Sequence, residues 1–175
     1  TDRTQFTYTD GVTYTGVDFA DVAQSQLYTD GSQQTQPNTT VIYAHQFFAG
    51  TEGVVSFSLS SMASPSTLLW SEVLYRDTDC DGILETGEPI ILGNYTVAAN
   101  STICLIVKQF VPANATQGAF NVVTVSSSFI YDVLVPTVTE VLSRTDTTTV
   151  GVAGSSTLSL HKAVDKAVAL PGETI

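Results

Sequence analysis

Residues 68–97 read L-L-W-S-E-V-L-Y-R-D-T-D-C-D-G-I-L-E-T-G-E-P-I-I-L-G-N-Y-T-V, and the fold turns on what flanks the acidic run in the middle. Between Asp77 and Glu88, carboxylates occupy positions 1, 3, 5, 9 and 12 of a twelve-residue loop, with Gly82 at position 6. A calcium ion takes about six to eight oxygens, and a loop of this spacing supplies them from positions 1, 3 and 5, the carbonyl of 7, position 9 and a bidentate Glu at 12. The pattern predicts Asp77, Asp79, Asp81, the Ile83 carbonyl, Glu85 and Glu88 as ligands for Ca2+, with Gly82 making the sharp turn. The alternative is a solvated acidic turn, in which clustered carboxylates repel one another with nothing to offset them. An EF-hand has helices on both sides of such a loop. Here Leu68 to Arg76 before it and Pro89 to Val97 after it read as strands: Pro89 disfavours a continuing helix, and Ile90, Leu92, Tyr95 and Val97 are β-type residues broken by Gly93-Asn94. A calcium loop joining two strands is a clamp, because no helix pair is present to open on binding.

The composition agrees with a β protein. A chain of 175 residues can bury one sizeable core, or one core and part of another. Only 13% of residues are charged, while Thr, Ser, Val and Gly abound, which is the balance of an all-β extracellular protein. The net charge is −11, and Arg3, Arg76, Lys108, Arg144, Lys162 and Lys166 are scattered singly. Nucleic acid is therefore not an expected partner, since binding phosphates needs a basic stripe. No apolar run is long enough to span a bilayer, so no transmembrane segment is expected. The chain opens at Thr1 without a charged and apolar leader, as expected of a processed mature protein or of a fragment; both fit export. Cys80 sits at loop position 4, where the side chain is not a ligand, and Cys104 lies in the strand I-C-L-I-V. A disulfide between them would tie the loop to a sheet, the alternative being two unpaired buried thiols.

Strand candidates recur along the chain: residues 4–8, 12–17, 40–48, 53–60, 68–75, 90–97, 103–110, 119–130, 138–144 and 157–163. Val55, Phe57 and Leu59 alternate with Ser56, Ser58 and Ser60, so one face of that strand is buried and the other wet. Many short strands separated by turn signals predict a β-sandwich. Residues 1–38 carry a hairpin signal at Asp10-Gly11 followed by a polar Ser, Gln and Thr stretch, and are expected to form an N-terminal β extension. Residues 39–150 are expected to form the sandwich. Residues 151–175 are expected to form a Gly/Ser linker plus a C-terminal strand.

Little else in the sequence carries chemistry. His45 and His161 are far apart with no nucleophile motif near either, so both read as ordinary strand histidines and no enzyme is expected. Lys108 counts onto the face of Cys104, Ile106 and Phe110. A lysine facing a core needs a partner, such as an isopeptide bond to an Asn or Asp side chain; the alternative is a strand-end lysine reaching solvent along its stem. Trp70 reads as a core residue packed on the opposite sheet.

With these pieces placed, the chain resembles the tandem immunoglobulin-like "conserved repeat domain" of large bacterial surface proteins. The resemblance is carried by H-Q-F-F-A-G-T-E-G-V-V-S-F-S-L (45–59), L-Y-R-D-T-D-C-D-G-I-L-E-T-G-E-P-I (74–90), C-L-I-V-K-Q-F-V-P (104–112) and L-H-K-A-V-D-K-A-V-A-L-P-G-E-T-I (160–175). The acidic segment is also similar to the calcium loops of B repeats in serine-aspartate adhesins. The resemblance implies an immunoglobulin-like sandwich at the bacterial cell surface, outside the cell, serving as a structural module of a filament, stalk or layer. The rival expectation is an adhesin domain with a glycan or host-protein ligand. Residues 157–175 look like the opening strand of a next repeat, with Thr157, Leu158, Leu160, Ala163 and Val164 as its assembly-strand residues. Such a strand would complete the sheet of a neighbouring copy and build a homopolymer, or else be a frayed tail left by a cut between repeats.

Overall fold

The structure, a computed structural model, describes residues 7, 9–13, 22–131 and 138–151. Nine strands and no helix occur among them: β1 (Gln26–Tyr28), β2 (Gly31–Thr35), β3 (Thr40–Ala49), β4 (Gly53–Ser64), β5 (Ser71–Asp77), β6 (Asn94–Val97), β7 (Ser101–Phe110), β8 (Phe120–Tyr131) and β9 (Thr139–Val150). They form two sheets, a four-stranded one in the order β1-β3-β7-β5 and a five-stranded one in the order β2-β9-β8-β4-β6. Pairing is antiparallel throughout except between β2 and β9, which run parallel. The fold is an all-β sandwich of two sheets, as the alternating strands predict.

The core forms where the inward positions of the two sheets meet. On β3 these are Val41, Tyr43, His45, Phe47 and Ala49, all buried. On β8 they include Val123, Val125 and Phe129, none exposed at all. Phe47 sits at the centre, edge-on to Phe57 at 5.6 Å and tilted against Phe129 at 5.7 Å, separations at which aromatic pairs attract beyond simple burial. Trp70 packs half-buried against the hydrophobic core, in keeping with its reading as a core residue.

Three boundaries differ from expectation. The segment 1–38 is not wholly an extension, because β1 pairs with β3 in one sheet and β2 with β9 in the other, so the sandwich starts at Gln26. Both are edge strands with one covered side, and Leu27 is the only fully buried apolar side chain they contribute; a polar run suffices for that. The last sandwich strand also continues past Arg144 to Val150, with Asp146, Thr148 and Val150 buried. Of the expected 90–97 strand, only 94–97 is strand, joined by a single bridge from Ile90 to Tyr75. The Asp10-Gly11 turn is present, with Val12 N–H donating to the Thr9 carbonyl at 3.3 Å. The C-terminal strand with Thr157, Leu158, Leu160, Ala163 and Val164, together with His161, lies outside the described residues.

Lys108 does not face the core. On β7 the inward positions are Ile103, Leu105, Val107 and Gln109, so Lys108 points outward, where its ammonium lies 4.9 Å from the centre of the Phe110 ring. Asn121, whose Nδ2 donates to Glu72 at 2.6 Å, faces inward from the other sheet and is out of its reach. The solvent-reaching alternative describes this lysine.

Candidate metal loop and the buried crossing beside it

The acidic loop occupies the passage between the two sheets. It leaves the end of β5 at Asp77 and returns beside β5, where Arg76 N–H donates to the Pro89 carbonyl at 2.8 Å and Ile91 N–H to the Leu74 carbonyl at 2.9 Å. From there the chain enters the other sheet as β6. The loop lies back over the outer face of the first sheet. Cys80 is disulfide-bonded to Cys104, with 5.3 Å between their α-carbons, as the sequence suggested. A β-carbon on Gly82 would stand 3.5 Å from that of Ala44 on β3. Cys104 and Ile106, outward by alternation, are buried on this face.

Local backbone geometry gathers the carboxylates. Gly82 has φ +79° and Cys80 φ +63°, both left-handed, so the loop turns sharply at positions 4 and 6. Asp77 is 3% exposed, and its two oxygens accept N–H groups from Cys80 at 2.7 Å and Gly82 at 2.9 Å. Asp81 Oδ1 accepts from Ile83 N–H at 2.7 Å. Oxygens of Asp77, Asp79 and Asp81 then lie within 4.8 Å of one another. Two oxygens bound to one calcium ion at about 2.3–2.6 Å each can be no more than about 5 Å apart, so these three fit a single ion. Each accepting oxygen of Asp77 and Asp81 keeps a lone pair for it.

The remaining expected ligands stand apart from that trio. Ile83 is exposed, and Glu88 spends its oxygens on the loop's own backbone, accepting from Thr78 N–H at 3.3 Å and Glu85 N–H at 3.2 Å. Glu85 is fully solvent-exposed, yet its carboxyl is held above the usual carboxylate value, first by the charge of Asp79 and then by Asp81, with smaller effects from burial, Glu88 and Asp77. That shift reports the repulsion a cation would relieve.

A second polar constellation, which the sequence reading missed, lies between the sheets. His45 Nε2 and Asp146 Oδ2 are 2.8 Å apart with both side chains essentially inaccessible, and His45 Nδ1 donates to the Tyr28 carbonyl at 3.2 Å. Tyr43 OH lies 2.8 Å from Thr148 Oγ1, and burial raises its pKa above the usual tyrosine value. These residues surround the point where the chain passes from β1 to β2. Gly31 is required there, since a β-carbon would approach the Tyr43 ring to 2.3 Å and Asp146 Oδ1 to 2.6 Å. The available signal was an Asp and a His at inward positions of alternating strands, but 101 residues separate them.

No protein-family model matches the chain, and no curated protein matches it. Among solved structures it is similar to the ASH/PapD-like domain 7 of human CEP192, at 13% identity and TM-score 0.44, over 83% of this chain and 99% of that one. It is similar to a family 123 glycoside hydrolase from Clostridium perfringens, at 8% identity and TM-score 0.46, over 73% of this chain but 27% of the enzyme. It is also similar to AggA, the major subunit of aggregative adherence fimbriae type I from Escherichia coli, at 12% identity and TM-score 0.39, over 74% and 96% of the two chains. These likenesses are distant, so function is argued from this chain's own residues.

Proposed function

We propose that the protein is a non-enzymatic structural module of an extracellular, bacterial cell-surface assembly, stiffened by calcium at Asp77, Asp79 and Asp81. The observation that carries this reading is the convergence of those three carboxylates within reach of one ion, on a loop bonded to the central strand β7. Glu85, Glu88 and the Ile83 carbonyl complete the set by local rearrangement of exposed groups. A bound ion would add its binding free energy to folding and hold the crossover between the sheets. The disulfide supports an oxidising compartment. The core histidine has both ring nitrogens engaged between the sheets, which supports a role without catalysis. Copies of the same chain are the proposed partners.

Calorimetric titration with calcium and thermal unfolding in calcium against chelator test the reading. Saturable binding and a higher melting temperature with calcium are expected; an unchanged melt together with metal-free protein by elemental analysis would overturn it. The rival, a ligand-binding adhesin, has one observation in its favour. An open depression lined by Met62, Leu69 and Trp70 presents apolar surface, with Leu69 88% exposed. Capture of a glycan or protein by a strictly monomeric chain would favour that rival.

A further inference from the structure

Among the described residues, the outward positions of the three long strands of the five-stranded sheet carry no charge, and Asp30, just before β2, brings a carboxylate to the edge of this face, where it accepts from Thr145 N–H at 2.9 Å. Outward positions alternate along β4 from Val54 to Ser64, along β8 from Phe120 to Ile130 and along β9 from Thr139 to Thr149, and each is Ser, Thr, Val, Ile, Met or Phe. The flanking strands continue this, with Ser32 and Gln34 on β2 and Asn94 and Thr96 on β6. The chain has a net charge of −11, so its copies repel through most of their surface; this face is where they can approach without like charges meeting.

Apolar residues gather toward both ends of the face. Val54, Ile130 and Val141 make one end apolar, Met62, Val122 and Phe120 the other, and hydroxyl rows such as Ser58, Ser126 and Ser143 fill the middle. Val141 and Met62 are 66% and 67% exposed. A two-fold axis along the strands and over β8 lays Ile130, Val122 and Phe120 on their own copies and the Ser126 row on itself. The size also suits a dimer. The three long strands have 12 residues each. At about 3.4 Å per residue and about 4.8 Å per strand these cover roughly 40 by 14 Å, and the short β2 and β6 at the flanks bring the face to roughly 700 Å², near the ~800 Å² per partner of a standard stable interface.

We infer that the uncharged outer face of β9, β8 and β4 docks against the same face of a second copy. The inference rests on the structural-module reading but not on its metal, because the acidic loop lies over the opposite sheet. The experiment is sedimentation equilibrium of the chain and of Ser126→Lys and Ser126→Glu, with Ser58→Lys as a more exposed second site and circular dichroism to establish folding. A concentration-dependent dimer that strengthens with salt is expected, since salt screens the net repulsion. Each single variant should weaken it tenfold or more, and an equimolar mixture of the Lys and Glu variants should restore it. A monomer up to about 100 µM, well above the range of specific interfaces of this size, would overturn the inference. So would a dimer weakened by salt or indifferent to these substitutions, or a monomer that instead pellets with an insoluble polysaccharide. None of these results bears on calcium binding, which the chelation melt reads separately.

Discussion

Cutting the bridge between loop and sheet should weaken calcium binding as well as folding, and the two effects can be separated by the choice of replacement at residue 80. The perturbation is the pair Cys80→Ser/Cys104→Ser. The bridged residues are 24 apart in sequence, and a closed loop of that size restricts the unfolded chain by about 3.5 kcal/mol on the chain-entropy model. Urea unfolding without calcium reads that term. The second effect comes from Cys80 at φ +63°, a conformation that an L residue enters at about 1–2 kcal/mol. In that conformation its N–H reaches Asp77 Oδ1 at 2.7 Å and fixes one of the metal oxygens. With the bridge intact the strain is already borne in the folded protein. Without it the residue relaxes, and calcium must draw it back, which is about a tenfold loss of affinity. Cys80→Gly/Cys104→Ser is the control, because glycine takes positive φ freely. It should lose the same unfolding free energy to within several tenths of a kcal/mol yet keep most of the calcium affinity. Calorimetric titration of the three proteins decides the matter. Equal affinities for the Ser and Gly variants would refute the conformational argument, and a stability loss under about 1 kcal/mol would refute the chain-entropy estimate.

Other perturbations test other parts of the structure. Asp79→Ala removes one of the three converging oxygens and should lower calcium affinity at least tenfold while leaving the chelated protein as stable as before or more so, read by titration and melting. Glu85→Gln should stabilise the chelated protein at neutral pH: a carboxyl whose folded pKa is raised favours folding when protonated and loses that contribution as pH rises through the folded value, so the wild type should lose more stability on that rise than the variant. Asp146→Ala leaves a buried His45 nitrogen without its partner and should destabilise by about 1–3 kcal/mol in urea unfolding, whereas the apolar pair His45→Phe/Asp146→Leu should lose less; equal losses would show that the site's packing, not its polarity, matters. Phe47→Ala empties the centre of the core and should lower the unfolding free energy by about 3–5 kcal/mol.

What was legible in the sequence was local. Val55, Phe57 and Leu59 alternate with serines because one side of β4 is covered, and a covered face writes a period of two into any strand. The gathering of Asp77, Asp79 and Asp81 was legible because their carboxylates and Gly82 recur at fixed offsets within twelve residues. The first two strands were not. Q-L-Y and G-S-Q-Q-T sit at sheet edges, need one apolar contact between them, and are held by backbone pairing that side chains do not reveal. Stopping the last strand at Arg144 failed for a different reason: Asp146 looks like a breaker until His45 is known to lie against it, and that pairing exists only in the folded chain.

The placement of polar groups also explains why the two sheets differ. The first sheet carries the clustered carboxylates of the acidic loop over its outer face, while its inner side holds His45 and, toward one edge, Glu72 against Asn121. The second sheet takes its charge inward as Asp146, where the histidine meets it, and so is free to present an outer surface of hydroxyls and methyls. A sandwich built this way has two unlike faces. On the proposed function, one would respond to calcium, because the ion's two positive charges would offset part of the −11 that sets copies apart. The other is indifferent to it except through that same net charge. If both proposals hold, calcium should tighten the face-to-face dimer at low salt without touching its contact surface, and the effect should fade as salt rises and the Debye length falls to about 8 Å at physiological ionic strength. Dimerisation that depends on calcium equally at high and low salt would mean that the loop itself takes part in the contact, which the placement of the loop over the other sheet argues against.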